Sequence, residues 1–435
     1  MAKRPLSMEV PLRHQLRGPS RRRIVGLTAL GAATALIGSC STGPDNSISL
    51  WYWSRSVSKT LMDAAPAAIS GLSLSPVNIG GDFHQRLLTT LAGKSNVPDI
   101  TGMNSDVATY MPDEDQFVDL YDLGARDVQP QYLDWKWKQG VSSKGRLIAF
   151  PMDTGPAGLF YRADVWEKAG LPAEPSGLAK AAPTWEALLG LGVELRAKVP
   201  RAAILANIAN LFTFVMAQSP KQYLTSDGQY IGDGDHVRRA WDLAVMAARL
   251  KLSAGSSPDY GTEWSAGVAN GRIVSFPGAV WTGSTLSASA PATAGKWRVT
   301  ACPGGAGNQG GSFLAITKYC PDPQLAFDFV RWLQSPPNQV RAYSELALFP
   351  STPVSYGAPE LHQPNPFFGG QKTIEVFGPS AEAVKPSEFS PYDTVVGTPL
   401  TEELVNVESL GKNPDRAWSD AQKAIARSLD HAGVV

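Results

Sequence analysis

The chain has 435 residues with 39 basic and 39 acidic side chains, so it lacks the excess of clustered cations that nucleic-acid binding requires. At 43% hydrophobic residues it is long enough to bury two cores rather than one. The histidines at 84, 236, 362 and 431 show no zinc-ligand spacing, and neither a metal nor a cofactor is expected.

At the N-terminus, Ser20-Arg21-Arg22-Arg23 leads into an apolar run from Ile24 to Ser39 that ends at Cys40. A basic cluster, an apolar stretch and small residues form an export signal. The run is too short and too rich in Gly and Ala for a membrane span of about 20 residues, although a single-pass anchor with an incidental cysteine is the alternative reading. Ile37-Gly-Ser-Cys40 resembles the bacterial lipobox, whose cysteine is acylated and becomes the first residue. Ser20 to Val25 resembles the twin-arginine signal of proteins exported folded. Residues 1–39 are therefore expected to be a signal peptide and 40–47 a tether. The protein would work outside the cell, lipid-anchored at Cys40 to the outer face of the cytoplasmic membrane. Without residues 1–39 the chain holds 32 basic and 38 acidic side chains, a formal charge of −6.

Ile48 to Trp53, β-branched and aromatic, predicts an opening strand. A helix follows from Lys59 to Ser70, then a strand from Leu72 to Ile79. Asp82 can cap a helix in which Phe83, Leu87, Leu88 and Leu91 recur at helical spacing. Val97 to Met103 is strand-like again. Alternation of this kind predicts an α/β fold with largely parallel sheets. Gly145 to Met152 and Gly158 to Tyr161 read as strands, Ala163 to Ala169 as a helix stopped by Gly170, and Pro175 to Pro183 as a flexible loop. Thr184 caps a helix from Trp185 to Lys198. Further helices are expected at 206–218, 236–250, 325–333 and 414–432. Cys302 and Cys320 flank two strand-like runs, Trp297 to Ala301 and Phe313 to Thr317. A disulfide between them is expected if those strands neighbour each other.

Several runs, in order, resemble one family. Trp51-Tyr-Trp53, Val97-Pro-Asp-Ile100, Gly145-Arg-Leu-Ile-Ala-Phe-Pro151, Gly158 to Leu171 and Pro183-Thr-Trp-Glu-Ala-Leu188 come first. Asn270-Gly-Arg-Ile273, Gly278-Ala-Val-Trp281, Gly310 to Thr317, Ala326 to Leu333 and Leu348-Phe-Pro-Ser351 complete the series. Together they resemble the bacterial extracellular solute-binding proteins of carbohydrate ABC importers, the family of the maltose-binding protein. The anchor and export signal look most like actinobacterial sugar-binding lipoproteins. The resemblance implies two lobes with a ligand cleft between them and chain crossings near Asp153, Trp297 and Gln334. Lobe 1 would comprise 48–152 with 298–334, and lobe 2 would comprise 153–297 with 335–435. It further implies a monomer that binds a carbohydrate and delivers it to ABC permease subunits, with no enzymatic activity.

Sugars present an apolar face to aromatic rings and a rim of hydroxyls to carboxylates and amides. Asp106 has the spacing after Pro98-Asp-Ile100 at which the resemblance puts a sugar-binding carboxylate. Asp153 stands at an expected crossing, and Asp82 serves as either ligand contact or helix cap. Trp281 is the leading aromatic candidate, with core packing as its alternative, and Trp53 is the better placed of the two strand tryptophans. Gly310 and Gly311 can bring backbone N–H groups to a ligand. Trp264, Phe349 and Tyr392 are further candidates. The chain departs from the family pattern at Gly155, where a carboxylate is expected, and at Met103, where an aromatic is expected. Maltodextrin specificity is not implied, and the acidic candidate set favours a neutral or amino sugar over a sugar phosphate.

Gly305-Ala-Gly-Asn-Gln-Gly310 satisfies G-x-G-x-x-G but opens a strand, so it fails as a dinucleotide loop. Gly93-Lys-Ser95 lacks the upstream glycine of a P-loop. The rival function is a secreted glycan hydrolase using Asp106 and Asp153 as its carboxylate pair. A non-sugar polar solute is the other alternative.

Overall fold

The computed structural model describes residues 47–225, 227–257 and 260–434. The export signal, Cys40 and nearly all of the tether lie outside them. β1 (Ser47–Tyr52) buries Ile48 and Leu50 on alternate positions. Ser58 caps α1 (Lys59–Ala68) by accepting from the Leu61 amide, and Pro66 lies inside that helix. After β2 (Ser73–Asn78), Asp82 caps α2 (Phe83–Gly93), which buries Phe83, Leu87 and Leu91. β3 (Ile100–Met103) is buried along its length. Short 3₁₀ turns between Val107 and Gln131 lead to α3 (Asp134–Gln139), β4 (Phe150–Pro151), β5 (Asp153–Thr154) and β6 (Ala157–Arg162).

A helical region follows: α4 (Ala163–Lys168), α5 (Pro175–Ala181), α6 (Trp185–Lys198), α7 (Ile208–Ala217), α8 (Asp235–Arg249) and α9 (Thr262–Ala269). α5 replaces the loop expected at 175–183: Pro175 pre-sets the first helical turn and Leu178 is fully buried. Then come β7 (Ser275–Ala279), α10 (Thr282–Ser289), β8 (Trp297–Ala301), β9 (Phe313–Ile316), α11 (Pro323–Leu333) and α12 (Pro336–Leu346). The chain ends with β10 (Phe349–Pro350), α13 (Ile374–Glu382), α14 (Asp393–Leu410) and α15 (Pro414–His431). Among the described residues, no helix is long and apolar enough to cross a membrane.

The strands form a five-stranded sheet in the order β2-β1-β3-β9-β4, a three-stranded sheet β7-β6-β8 and a ribbon β10-β5. The expected parallel pairing is present between β1 and its neighbours β2 and β3. β9 enters from the other sheet and runs antiparallel to β3 and β4. In the smaller sheet β6 pairs antiparallel with β7 and β8, and parallel bridges at Ala203–Ile273 and Leu205–Ser253 continue beside it.

β8 pairs with β6 in the three-stranded sheet. Residues 302–312 lead from that sheet to β9 in the five-stranded sheet, so β8 and β9 are not neighbours. That corrects the disulfide: Cys302 packs in the core of one lobe and Cys320 in the core of the other, and both are free thiols. The first lobe is built on Leu50, Leu61, Ile100, Phe150, Leu314 and Phe327. The second is built on Leu159, Trp166, Leu188, Phe212, Trp241 and Ile425.

α3 ties the two together. Trp137 lies in the first core and donates from Nε1 to Tyr121 Oη at 3.0 Å. Trp135 lies in an aromatic cluster with Phe160, Phe276 and Phe377, and donates to the Ala381 carbonyl at 2.8 Å. Lys136, between them, is fully buried.

Candidate functional site

Sheet register sets the site. Trp51 pairs with Thr101, Met103 with Phe313, and Phe313 with Pro151. The ends of β1, β3 and β4 and the start of β9 thus share one edge. The residues just beyond that edge are Trp53, Asp106, Gly310 to Ser312, and Asp153. In α/β proteins the crevice outside the carboxyl ends of strands is where ligands collect.

On the first wall, half-buried Trp53 packs edge-on against Phe83, with ring centroids 5.0 Å apart. It also lies over Gly102, where a Cβ would approach the ring to 2.7 Å. Asp82 Oδ1 accepts from the Gln85 amide at 3.0 Å, so it is a helix cap. Asp106 Oδ2 lies 2.9 Å from His84 Nδ1, and the same nitrogen lies 2.9 Å from Tyr110 Oη. Burial raises the Asp106 carboxyl above the usual range; His84 opposes this and Asp82 adds to it. Asp106 Oδ1 is buried without a hydrogen-bond partner.

The second wall is made where the two crossings run together. The Gly155 amide donates to Asn308 Oδ1 at 2.8 Å, and the Gln309 amide to the Gly155 carbonyl at 2.8 Å. A Cβ on Gly155 would sit 1.9 Å from the Gln309 carbonyl oxygen, so the carboxylate of the family pattern has no room here. Asp153 Oδ1 accepts from the Ser312 amide at 2.8 Å. Burial raises its carboxyl, opposed by Lys136 and Ser312. Burial likewise pushes Lys136 down to about 7, opposed by Asp153, while its Nζ lies 3.3 Å from the centroid of the Phe313 ring.

Half-buried Trp281 donates from Nε1 to the Gln309 carbonyl at 3.2 Å, directly beside Gly310. Tyr260 stands perpendicular to it at 5.4 Å, and burial pushes the Tyr260 phenol up to about 12. The Thr282 hydroxyl opposes that shift by hydrogen-bonding the Tyr260 side chain, and Gln309 Oε1 is buried without a hydrogen-bond partner. This wall offers an aromatic face with polar atoms around it.

The structure thus brings Trp53, Asp82 and Asp106 into one group, and Asp153, Trp281, Gly310 and Gly311 into another. Trp264 and Phe349 are corrected: each is only 1% exposed and held among aromatic core neighbours, so neither offers a ring face. Tyr392 belongs to neither group and packs on the helical core of the second lobe. Sequence reading missed His84, Tyr110, Lys136, Tyr260 and Asn308. Only Asn308 carried a signal, inside the rejected glycine string. Among the described residues, no cluster of three or more His, Cys, Asp or Glu is placed to hold a metal ion.

Residues 70–368 match the family described as bacterial extracellular solute-binding protein. A lactose-binding protein of Rhizobium radiobacter is 24% identical over 426 residues, covering 89% of this chain and 97% of that protein. A solved structure described as extracellular solute-binding protein family 1 superposes with a TM-score of 0.84. It is 26% identical and covers 88% of this chain and 99% of its own. The galacto-N-biose/lacto-N-biose I-binding protein of Bifidobacterium longum, at 18% identity, shares the fold with a TM-score of 0.74 over 89% of this chain and 98% of that one. With most of its length matched on a two-lobed α/β frame, the chain belongs to the bacterial extracellular solute-binding proteins.

Proposed function

We propose that this protein captures a carbohydrate between its lobes and hands it unchanged to the permease of an ABC importer, acting as a monomer anchored through lipid on Cys40. The observation that carries this reading is the site's composition. Half-buried Trp53 and Trp281 are set beside Asp106, Asp153 and the polar atoms of the crossing loop, which suits a ligand with one apolar face and many hydroxyls. The lactose-binding relative supports the same class of ligand. Two carboxylates in the walls favour a neutral or amino sugar. Binding would bias the lobes toward closure.

The test is thermal unfolding of residues 41–435 against lactose, lacto-N-biose, β-1,6-galactobiose, maltose, glucosamine and sugar phosphates. A sugar at about 100 times its dissociation constant stabilises by about 2.7 kcal/mol. A stabilising sugar recovered intact by chromatography supports capture; one consumed by the protein points to the hydrolase. No shift with any sugar contradicts the carbohydrate reading. For the anchor, Cys40→Ser is expected to release the protein from membranes.

A further inference from the structure

We propose that His84 is a positioning residue for Asp106: its Nδ1–H pins Oδ2, so that the carboxylate is held ionised and oriented at the sheet edge to accept a sugar hydroxyl. The inference rests on the reading of Asp106 as a ligand contact. Its own support is geometric. His84 Nδ1 lies 2.9 Å from two oxygens, Asp106 Oδ2 and Tyr110 Oη. An imidazole nitrogen has one in-plane position for a hydrogen bond, so the two oxygens compete for it.

The tautomer decides between them. With a proton on Nδ1, the ring donates to Asp106, and a charge-assisted bond is stronger than one to a neutral phenol. With the proton on Nε2, Nδ1 accepts from Tyr110 and its lone pair faces the carboxylate. Asp106 would then be half-buried with its own backbone N–H as its remaining donor, since Oδ1 has none. Burying a carboxylate without a side-chain donor is costly, so the Nδ1–H form is the one the site selects. The ionisable groups facing this pair are Tyr110, from the turn after Asp106, and Asp82, from the cap of α2. Neither donates a hydrogen bond to Asp106. His84 is therefore the side chain placed to hold Asp106 as a carboxylate.

Two experiments decide this. The first needs no ligand: ¹⁵N NMR of the His84 ring at neutral pH. Protonated Nδ1 in the native protein, with a move toward the Nε2–H form in Asp106→Asn, is expected. An Nε2–H ring in the native protein would overturn the inference. The second is calorimetric titration with lactose and β-1,6-galactobiose from pH 4 to 8, using native protein, Asp106→Asn, His84→Ala and His84→Asn. Asn can place a donor near the former Nδ1, so His84→Asn should recover most of the roughly tenfold affinity lost in His84→Ala. In His84→Ala the acid-side loss of affinity should move to higher pH, which a packing defect alone would not do. Equal acid limbs in native protein and His84→Ala overturn the inference. Unchanged affinity in Asp106→Asn instead removes Asp106 from the site and leaves carbohydrate capture to the other wall. If neither sugar binds, the ligand class falls and the NMR result alone decides the role of His84.

Discussion

Gly311 shows how tightly the crossing is built. Its φ of +89° suits glycine, and an added Cβ would lie 2.7 Å from the Asp153 carbonyl oxygen. Gly311→Ala is expected to destabilise the fold by at least about 2 kcal/mol, read by urea unfolding, and to weaken sugar binding with it. Trp281→Ala is a different kind of change, because the ring is half-buried and borders the site. Loss of about 2 kcal/mol of sugar affinity is expected with a nearly unchanged unfolding midpoint; unchanged affinity by calorimetry would take Trp281 out of the site. Asp393 carries a pH signature. Burial pushes its carboxyl up to about 6, opposed by hydrogen bonds from the Ser390 and Tyr223 backbones. A raised native value means that the stability contribution is complete below about pH 4 and is lost as the pH rises through about 6. Asp393→Asn keeps the acceptor for the Ser390 amide and should stabilise by about 2 kcal/mol at pH 8, a gain that vanishes near pH 4. Carboxylates and tryptophans at strand ends were visible in the sequence because strand ends open onto clefts. Trp264 and Phe349 could not be told from Trp281, because a buried ring and a wall ring have the same local sequence. His84 was invisible because its role depends on a partner 22 positions away.

Helices were read well from capping residues: Asp82 and Thr184 start α2 and α6 as expected, and their apolar spacing gives the buried face. Strand pairing was read less well. β8 and β9 were placed correctly as segments, yet the glycine-rich stretch between them changes sheets, and pairing is a long-range choice that local pattern does not encode. The separated thiols follow from this. Reductant should leave the unfolding midpoint unchanged, and both Cys302 and Cys320 should react with a thiol reagent only after denaturation. α3 was not predicted at all. It is six residues long, and three consecutive side chains serve one lobe, the crossing and the other lobe. Trp135→Ala should remove the anchor in the second lobe and cost about 3 kcal/mol. The same variant should broaden the distribution of lobe angles in solution scattering.

The β5–β10 ribbon and the glycine-rich connection are the segments about which the proposed opening and closing of the two cores would turn. The family and the fold class were legible because an ordered series of short motifs spans nearly the whole length. The ligand was not, because its identity lies in a few side chains whose company is set by tertiary contacts. The most direct test is calorimetric titration of the soluble protein with lactose and related neutral sugars, comparing native protein with Trp281→Ala and Asp153→Asn and recovering the sugar afterward. Saturable binding by the native protein, at least tenfold weaker in both variants, with the sugar returned chemically intact, is the predicted result. Binding indifferent to both substitutions, or a sugar returned cleaved, would contradict capture at this sheet edge.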